Sequence, residues 1–234
     1  VYQDIAALGE VCRDHGALFH VDAAQSAGRL AIDVRALKVD LLSLSAHKMY
    51  GPKGIGVLFL DADRIRRVEP LLHGGGQQRG LRPGTLPTAQ IVGMGLAAEL
   101  AAQGRAEEPV RVAALRDRLW QALTDVDGLL LNGHPDRRAC HILNFSVTGV
   151  AGESLLLELD GLALASGSAC ASATDEPSPG LRLLGRDDQL AQSSLRISLG
   201  RGNDADQVDY AAAEIRRGIK RLRAIAEGPR RAHA

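Results

Sequence analysis

The stretch Leu41-Leu42-Ser43-Leu44-Ser45-Ala46-His47-Lys48 constrains this chain more than any other, because an apolar run of strand length ends abruptly in a polar Ser-Ala-His-Lys. Such a run belongs in a buried sheet, and a lysine delivered from a strand end is a candidate covalent catalyst. An earlier apolar run, Ala17-Leu18-Phe19-His20-Val21, ends in Asp22. The two runs bring a carboxylate and an amine to one edge of a sheet.

Around them, the pattern predicts a helix near 3–14, strands near 17–21, 40–45 and 54–60, and a long helix from 88 to about 103. Short strands alternating with helices indicate an α/β sheet. Gly104 to Pro109 is the expected boundary, dividing the chain into 1–104 and 105–234. The second part is expected to be a smaller α+β domain, with helix near 110–124, strand at 142–147, helix at 153–159, strand through 195–199 and a terminal helix from Asp204. The basic tail Gly228 to Ala234 is expected to fray.

A chain of 234 residues, 45% of them hydrophobic, can bury a sizeable core. Its 28 Lys and Arg equal its 28 Asp and Glu, so nothing in the charge indicates nucleic acid or an anionic membrane. A small molecule is the expected partner. Cys12, Cys140 and Cys170 form no CxxC, which argues for a reducing compartment. No apolar run approaches the ~20 residues that cross a bilayer, and no signal peptide opens the chain, so a cytoplasmic location is expected. The chain opens at Val1, already within a helical pattern, and reads as a piece of something longer.

A free lysine amine titrates near 10.4, so keeping it neutral at pH 7 costs several kcal/mol, whereas a Schiff base shares the nitrogen with a carbonyl. Pyridoxal phosphate uses this linkage and needs a carboxylate beside its pyridine nitrogen, a role open to Asp22. Gln25, one helical step on, can reach the phenolic oxygen. A rival reading takes Ser45-Ala46-His47-Lys48 as the S-x-x-K of penicillin-recognising hydrolases, but the companion S-D-N and K-T-G are absent. His20-x-Asp22 and Cys140-His141 are fragments of metal sites without a third ligand at sensible spacing, so no catalytic metal is expected.

The loop Gly74 to Thr85 offers bare backbone amides and a hydroxyl for a phosphate, yet lacks the Walker pattern. Cys170 lies in Ala165-Ser166-Gly167-Ser168-Ala169-Cys170-Ala171-Ser172-Ala173-Thr174. Neighbours this small supply no apolar bulk, so the thiol is expected on a mobile loop rather than in a core. Nothing adjacent lowers its pKa, and Asp175 and Glu176 tend to raise it. Arg196 stands in an alternating strand, and its forked donors suit a carboxylate if it faces a pocket.

The motifs His20 to Ser26, Ser45 to Gly54, Gly74 to Thr85, Ser166 to Cys170 and Ser194 to Arg201 together resemble the cysteine desulfurases of the NifS and IscS type, within the class V aminotransferases. The resemblance implies fold type I of the pyridoxal-phosphate enzymes: 1–104 as the end of the large mixed-sheet domain and 105–234 as the small domain. It implies a catalytic set of Lys48, His47 and Cys170. The cofactor would be held by Lys48, Asp22, Gln25, Ser45, His47 and Thr85. Arg196 would take the substrate carboxylate, and Cys170 would receive the sulfur of L-cysteine as a persulfide, leaving alanine.

The implied partners are a second copy sharing the active sites, with Thr85 reaching the phosphate bound in the other subunit, and a sulfur acceptor: an iron–sulfur scaffold or a tRNA-thiolation relay. Direct nucleic-acid and membrane contacts are not expected. Selenocysteine lyase is the nearest enzymatic alternative, and the other is a non-catalytic module that dimerises or accepts sulfur on Cys170. Three departures from the family pattern stand out. The chain lacks the family's earlier segment, which carries the histidine stacked on the cofactor ring; Pro83 replaces a serine; and the tail lacks the segment that docks the scaffold.

Overall fold

Asp4 begins the first helix, α1 (Ile5–Asp14), by accepting a hydrogen bond from the Ala7 amide at 3.1 Å. Its carboxylate satisfies one of the amides that a helix start leaves unpaired. In this computed structural model residues 1–165 and 177–227 are described. They fall into two units, one spanning Gln3–Glu108 and the other comprising Val1–Tyr2 and the residues from Pro109 onward.

In the first unit β1 (His20–Asp22) runs parallel to β2 (Leu41–Ser45), and β3 (Gly56–Leu60) pairs with β2 in the antiparallel sense. The strand expected at 17–21 starts later than its apolar pattern, and the reason lies in Asp40. This carboxylate, 1% exposed, accepts from the Phe19 amide at 2.8 Å and from Arg64 Nε at 3.1 Å. The Phe19 carbonyl in turn takes the Asp40 and Leu41 amides. With Phe19 so occupied, the ladder opens at His20, and Asp22 lies inside the strand, in register with Ser43.

Alternation then separates two faces. Val21, Leu42, Leu44 and Phe59 pack with Ile5, Phe19 and Val39 in one core cluster. His20, Asp22, Ser43 and Ser45 occupy the other face. The helix α2 (Thr88–Gln103) sets Met94 and Ala97 against Ala46 and Met49, bracing the turn that follows β2. A Cβ on Gly51 would stand 3.1 Å from the Ala97 Cβ and 3.0 Å from that of Ala46, so this close approach requires glycine.

The second unit opens with α3 (Glu108–Leu123), followed by β4 (Leu129–Leu131), β5 (Ile142–Val147), α4 (Gly152–Glu158), α5 (Pro179–Leu183), α6 (Asp188–Gln192), β6 (Ser194–Ser198) and α7 (Ala205–Glu227). The strands form an antiparallel sheet in the order β4-β5-β6. Its apolar face, Leu143, Phe145, Val147, Leu195 and Ile197, meets Leu119 and Leu123 of α3, Leu155 of α4 and Ile215 of α7. The opposite face carries Asn144, Ser146, Ser194 and Arg196.

Arg118 donates to Asp209 at 2.7 and 2.6 Å, tying α3 to α7, and that bond holds the Asp209 carboxyl below its ordinary range. The pair is exposed and screened, whereas truncating a wholly buried residue such as Phe145 costs about 3 kcal/mol or more. The core therefore dominates this unit's stability.

Substituting Asp40→Ala leaves the Phe19 amide and the Arg64 guanidinium without their buried acceptor. Urea denaturation is expected to show a loss of about 3 kcal/mol, while a loss below about 1 kcal/mol would contradict this account of how β1 is placed.

Candidate functional site

Because β1 and β2 are parallel and in register, their carboxyl ends open on the same side of the sheet, where α/β folds bind ligands. Asp22 ends β1. Its Oδ1 accepts from the Ala24 amide at 2.9 Å, which fixes the carboxylate while starting the turn through 23–29. Gln25 lies exposed in that turn. Gly28, at φ +76, lets the chain pass close to α2, since a Cβ there would stand 2.9 Å from that of Ala101.

Beyond Ser45 the backbone tightens into a 3₁₀ turn, Ala46–Met49, ended by Tyr50 in the left-handed region at φ 66. The Gly51 amide closes this turn onto the Ala46 carbonyl at 2.9 Å. Within it, Ser45 Oγ and His47 Nδ1 are hydrogen-bonded at 2.9 Å, so the other ring nitrogen of His47 is turned away from Ser45. Lys48 is half-buried, and its carbonyl accepts from Arg29 Nη1 at 3.0 Å. On the same sheet face His20 Nε2 pairs with Ser43 Oγ at 2.7 Å. Residues that carry a hydroxyl, an imidazole, an amine and a carboxylate thus stand at the joint ends of the two strands.

The glycine loop is shaped by backbone rather than by a side-chain core. Gly84 has φ +110, and Gln78 and Arg79 take left-handed φ of 49 and 59 without being glycines. Conformations of this kind are costly and concentrate at functional loops. Gln77 Oε1 receives the Gly84 amide at 3.2 Å, Pro83 is buried, and Thr85 is exposed at the loop's end. A cavity of about 390 Å³, lined by Arg13, Arg35, Lys38 and Phe59 among others, sits at the far edge of the sheet and holds none of the strand-end residues.

Of the residues singled out from sequence, Asp22, Ser45, His47 and Lys48 therefore share one edge. Arg196 stands in the second unit on β6, half-buried, with Asn144 opposite it on β5 and Ala165 bonded to its other side. Cys170 lies outside the described residues, as does the tail from Gly228. Sequence reasoning missed Arg29, since nothing local marks an arginine that reaches a carbonyl nineteen residues away. It also missed Asn132, Asn144 and Arg186, whose side chains are bonded in series.

Residues 1–211 match the family described as aminotransferase class-V. Cysteine desulfurase IscS of Tolumonas auensis is 55% identical over 223 residues, covering 95% of this chain and 55% of that protein. Among solved structures, a NifS-like protein from Rickettsia africae superposes with a TM-score of 0.86 at 26% identity, over 94% of this chain and 58% of that one. The cysteine desulfurase CsdA from Escherichia coli does so with a TM-score of 0.80, at 26% identity, over 95% and 56% respectively. The chain spans about half the length of the curated relatives it matches. Its architecture is that of the fold type I pyridoxal-phosphate enzymes. With the match running through the strand-end turn and on into the second unit, the chain belongs to the class-V aminotransferase family.

Proposed function

We propose that this chain is the part of a cysteine desulfurase that carries the cofactor lysine and the sulfur-accepting cysteine. The observation that carries the reading is the convergence of Asp22 with the Ser45-His47-Lys48 turn at the joint ends of two parallel strands. Pyridoxal phosphate suits that donor set. One Asp22 oxygen is held by the Ala24 amide and the other remains for a pyridinium N–H, Lys48 supplies the amine, and Ser45 and His47 supply phosphate donors. When bound, the cofactor supplies an electron sink that weakens bonds at the substrate Cα and Cβ.

The chain's own groups do the rest. Asp22 would keep a proton on the pyridine nitrogen by its negative charge, and Gln25 would serve the phenolic oxygen. Lys48 Nζ would hold the cofactor, and its free amine would move a proton at the substrate Cα. The Arg29 bond to the Lys48 carbonyl keeps that amine from drifting with its turn. Arg196 takes the substrate carboxylate in its planar fork. Cys170 attacks the substrate sulfur, so that L-cysteine and the Cys170 thiol yield L-alanine and a Cys170 persulfide, with no external oxidant or reductant.

In this reading the residues up to the 104–109 boundary complete the large cofactor domain, and those beyond it form the small domain. The working protein is a homodimer in which Thr85 reaches the phosphate of the partner site. Sulfur passes to an acceptor protein serving iron–sulfur assembly or tRNA thiolation. A cytoplasmic location belongs to the same reading, and no helix among the described residues is long and apolar enough to cross a membrane.

Incubation with pyridoxal phosphate, borohydride reduction and peptide mapping should place the label on Lys48, and a separate, unreduced sample given L-cysteine should yield alanine and a persulfide on Cys170. Cys170→Ala should keep the cofactor absorption and form no persulfide; desulfuration of L-cysteine by that variant would remove Cys170 from the reaction. Arg29→Met deletes one charge-assisted bond worth about 1.5 kcal/mol, so equilibrium titration should show cofactor affinity about tenfold weaker. Unchanged affinity would show that Arg29 does not steady Lys48.

A further inference from the structure

The polar face of the second sheet holds a chain of hydrogen bonds that the proposed reaction does not yet use. Arg186, in the bend between α5 and α6, donates through Nε to Asn132 Oδ1 at 2.8 Å and through a terminal nitrogen to the Leu131 carbonyl at 2.9 Å. Asn132, 8% exposed, donates through Nδ2 to Asn144 Oδ1 at 2.8 Å and to Ser146 Oγ at 2.9 Å. Asn144 is the direct cross-strand neighbour of Arg196, so the two side chains rise from the same face about 5 Å apart at their Cβ atoms.

The direction of this chain is dictated by chemistry. An asparagine amide can in principle sit either way round, since its oxygen and nitrogen are similar in size. Arginine removes the choice, because a guanidinium only donates. Facing Arg186, Asn132 must present its oxygen, which leaves its nitrogen to donate toward β5. Facing that nitrogen, Asn144 must present its own oxygen. The Asn144 amide nitrogen, with two N–H donors, is consequently turned away from β4, on whose far side the neighbouring strand is β6 and the neighbouring residue Arg196.

We infer that Asn144 is a second donor to the carboxylate bound by Arg196, and that Arg186 and Asn132 are positioning residues that hold its amide in the donating orientation. An anionic carboxylate has lone pairs enough for the arginine fork and one further N–H. Arg196 is also tied through its backbone to Ala165, with N–H···O distances of 2.8 and 3.3 Å, so at this residue β6 is bonded on the flank away from β5 and faces Asn144 across the other. Both donors then sit on backbone with little freedom, which suits recognition of a planar anion. The inference rests on the proposed role of Arg196, and its test separates the two.

The cofactor-loaded protein is titrated with L-alanine and with L-alaninamide, which lacks the anionic carboxylate, and the ratio of the two affinities is compared among variants. Thermal unfolding checks that each variant is folded. Asn144→Ala is expected to lower the preference for L-alanine about tenfold, and the near-isosteric Asn144→Asp about a hundredfold, with L-alaninamide binding weakened less than L-alanine binding in Asn144→Ala. Arg186→Lys keeps a donor for Asn132 and should hold the ratio near the parent value; Arg186→Met should lower it. A purely structural role would weaken both ligands alike and overturn the inference. If Arg196→Lys changes the ratio and neither Asn144 variant does, the second donor is overturned alone. If none of the three changes it, the carboxylate role of Arg196 falls and the inference with it.

Discussion

The pairing of β1 with β2 is the constraint on which the strand-end site depends, and it is set by a buried carboxylate rather than by hydrophobic pattern alone. Asp40 takes the Phe19 amide, and the Phe19 carbonyl takes the amides of Asp40 and of Leu41, the second being the first rung of the ladder that pairs His20 with Leu41. Side chains alternate with a period of two, so a slip of one residue would turn Asp22 into the apolar face with Val21's partners and bring Val21 to the edge. The guanidinium of Arg64 makes the burial of Asp40 tolerable. A residue with no chemical role thereby decides where the carboxylate of the site stands.

Much of this site was legible in the sequence, because strand ends announce themselves. An apolar run that stops at a polar residue marks both the strand and what it delivers, and this holds for Asp22 and for the Ser45 to Lys48 turn. The alternation of Leu195, Arg196 and Ile197 likewise showed that Arg196 lies on the opposite face from the core, where the structure has it. What escaped notice shares a physical cause. β4 is three leucines between Gly128 and Asn132, too short to show alternation and built of a residue with no strand preference. α5 and α6 are five residues each, below the length at which a 3.6-residue period can be seen. Arg29, Asn132 and Arg186 act across gaps of twelve to fifty-five residues, where no local pattern exists.

The two sheets apply one design to different ends. Each buries one face in a core, and in each the opposite face carries polar side chains bonded to one another: His20 to Ser43 in the first, Asn132 to Asn144 and Ser146 in the second. Such pairs order groups before any ligand arrives, which lowers the entropic cost of binding. The first sheet presents an amine with a carboxylate, the set a pyridine cofactor requires. The second presents a guanidinium, the group that suits an amino-acid carboxylate. These complementary chemistries are why a desulfurase reading accounts for both units together.

The most direct test of the central claim is a crystal structure of this chain grown with pyridoxal phosphate. The account predicts density continuous with Lys48 Nζ and an Asp22 carboxylate oxygen within hydrogen-bond distance of the pyridine nitrogen. Cofactor joined to another lysine, or a pyridine nitrogen facing away from Asp22, would contradict it.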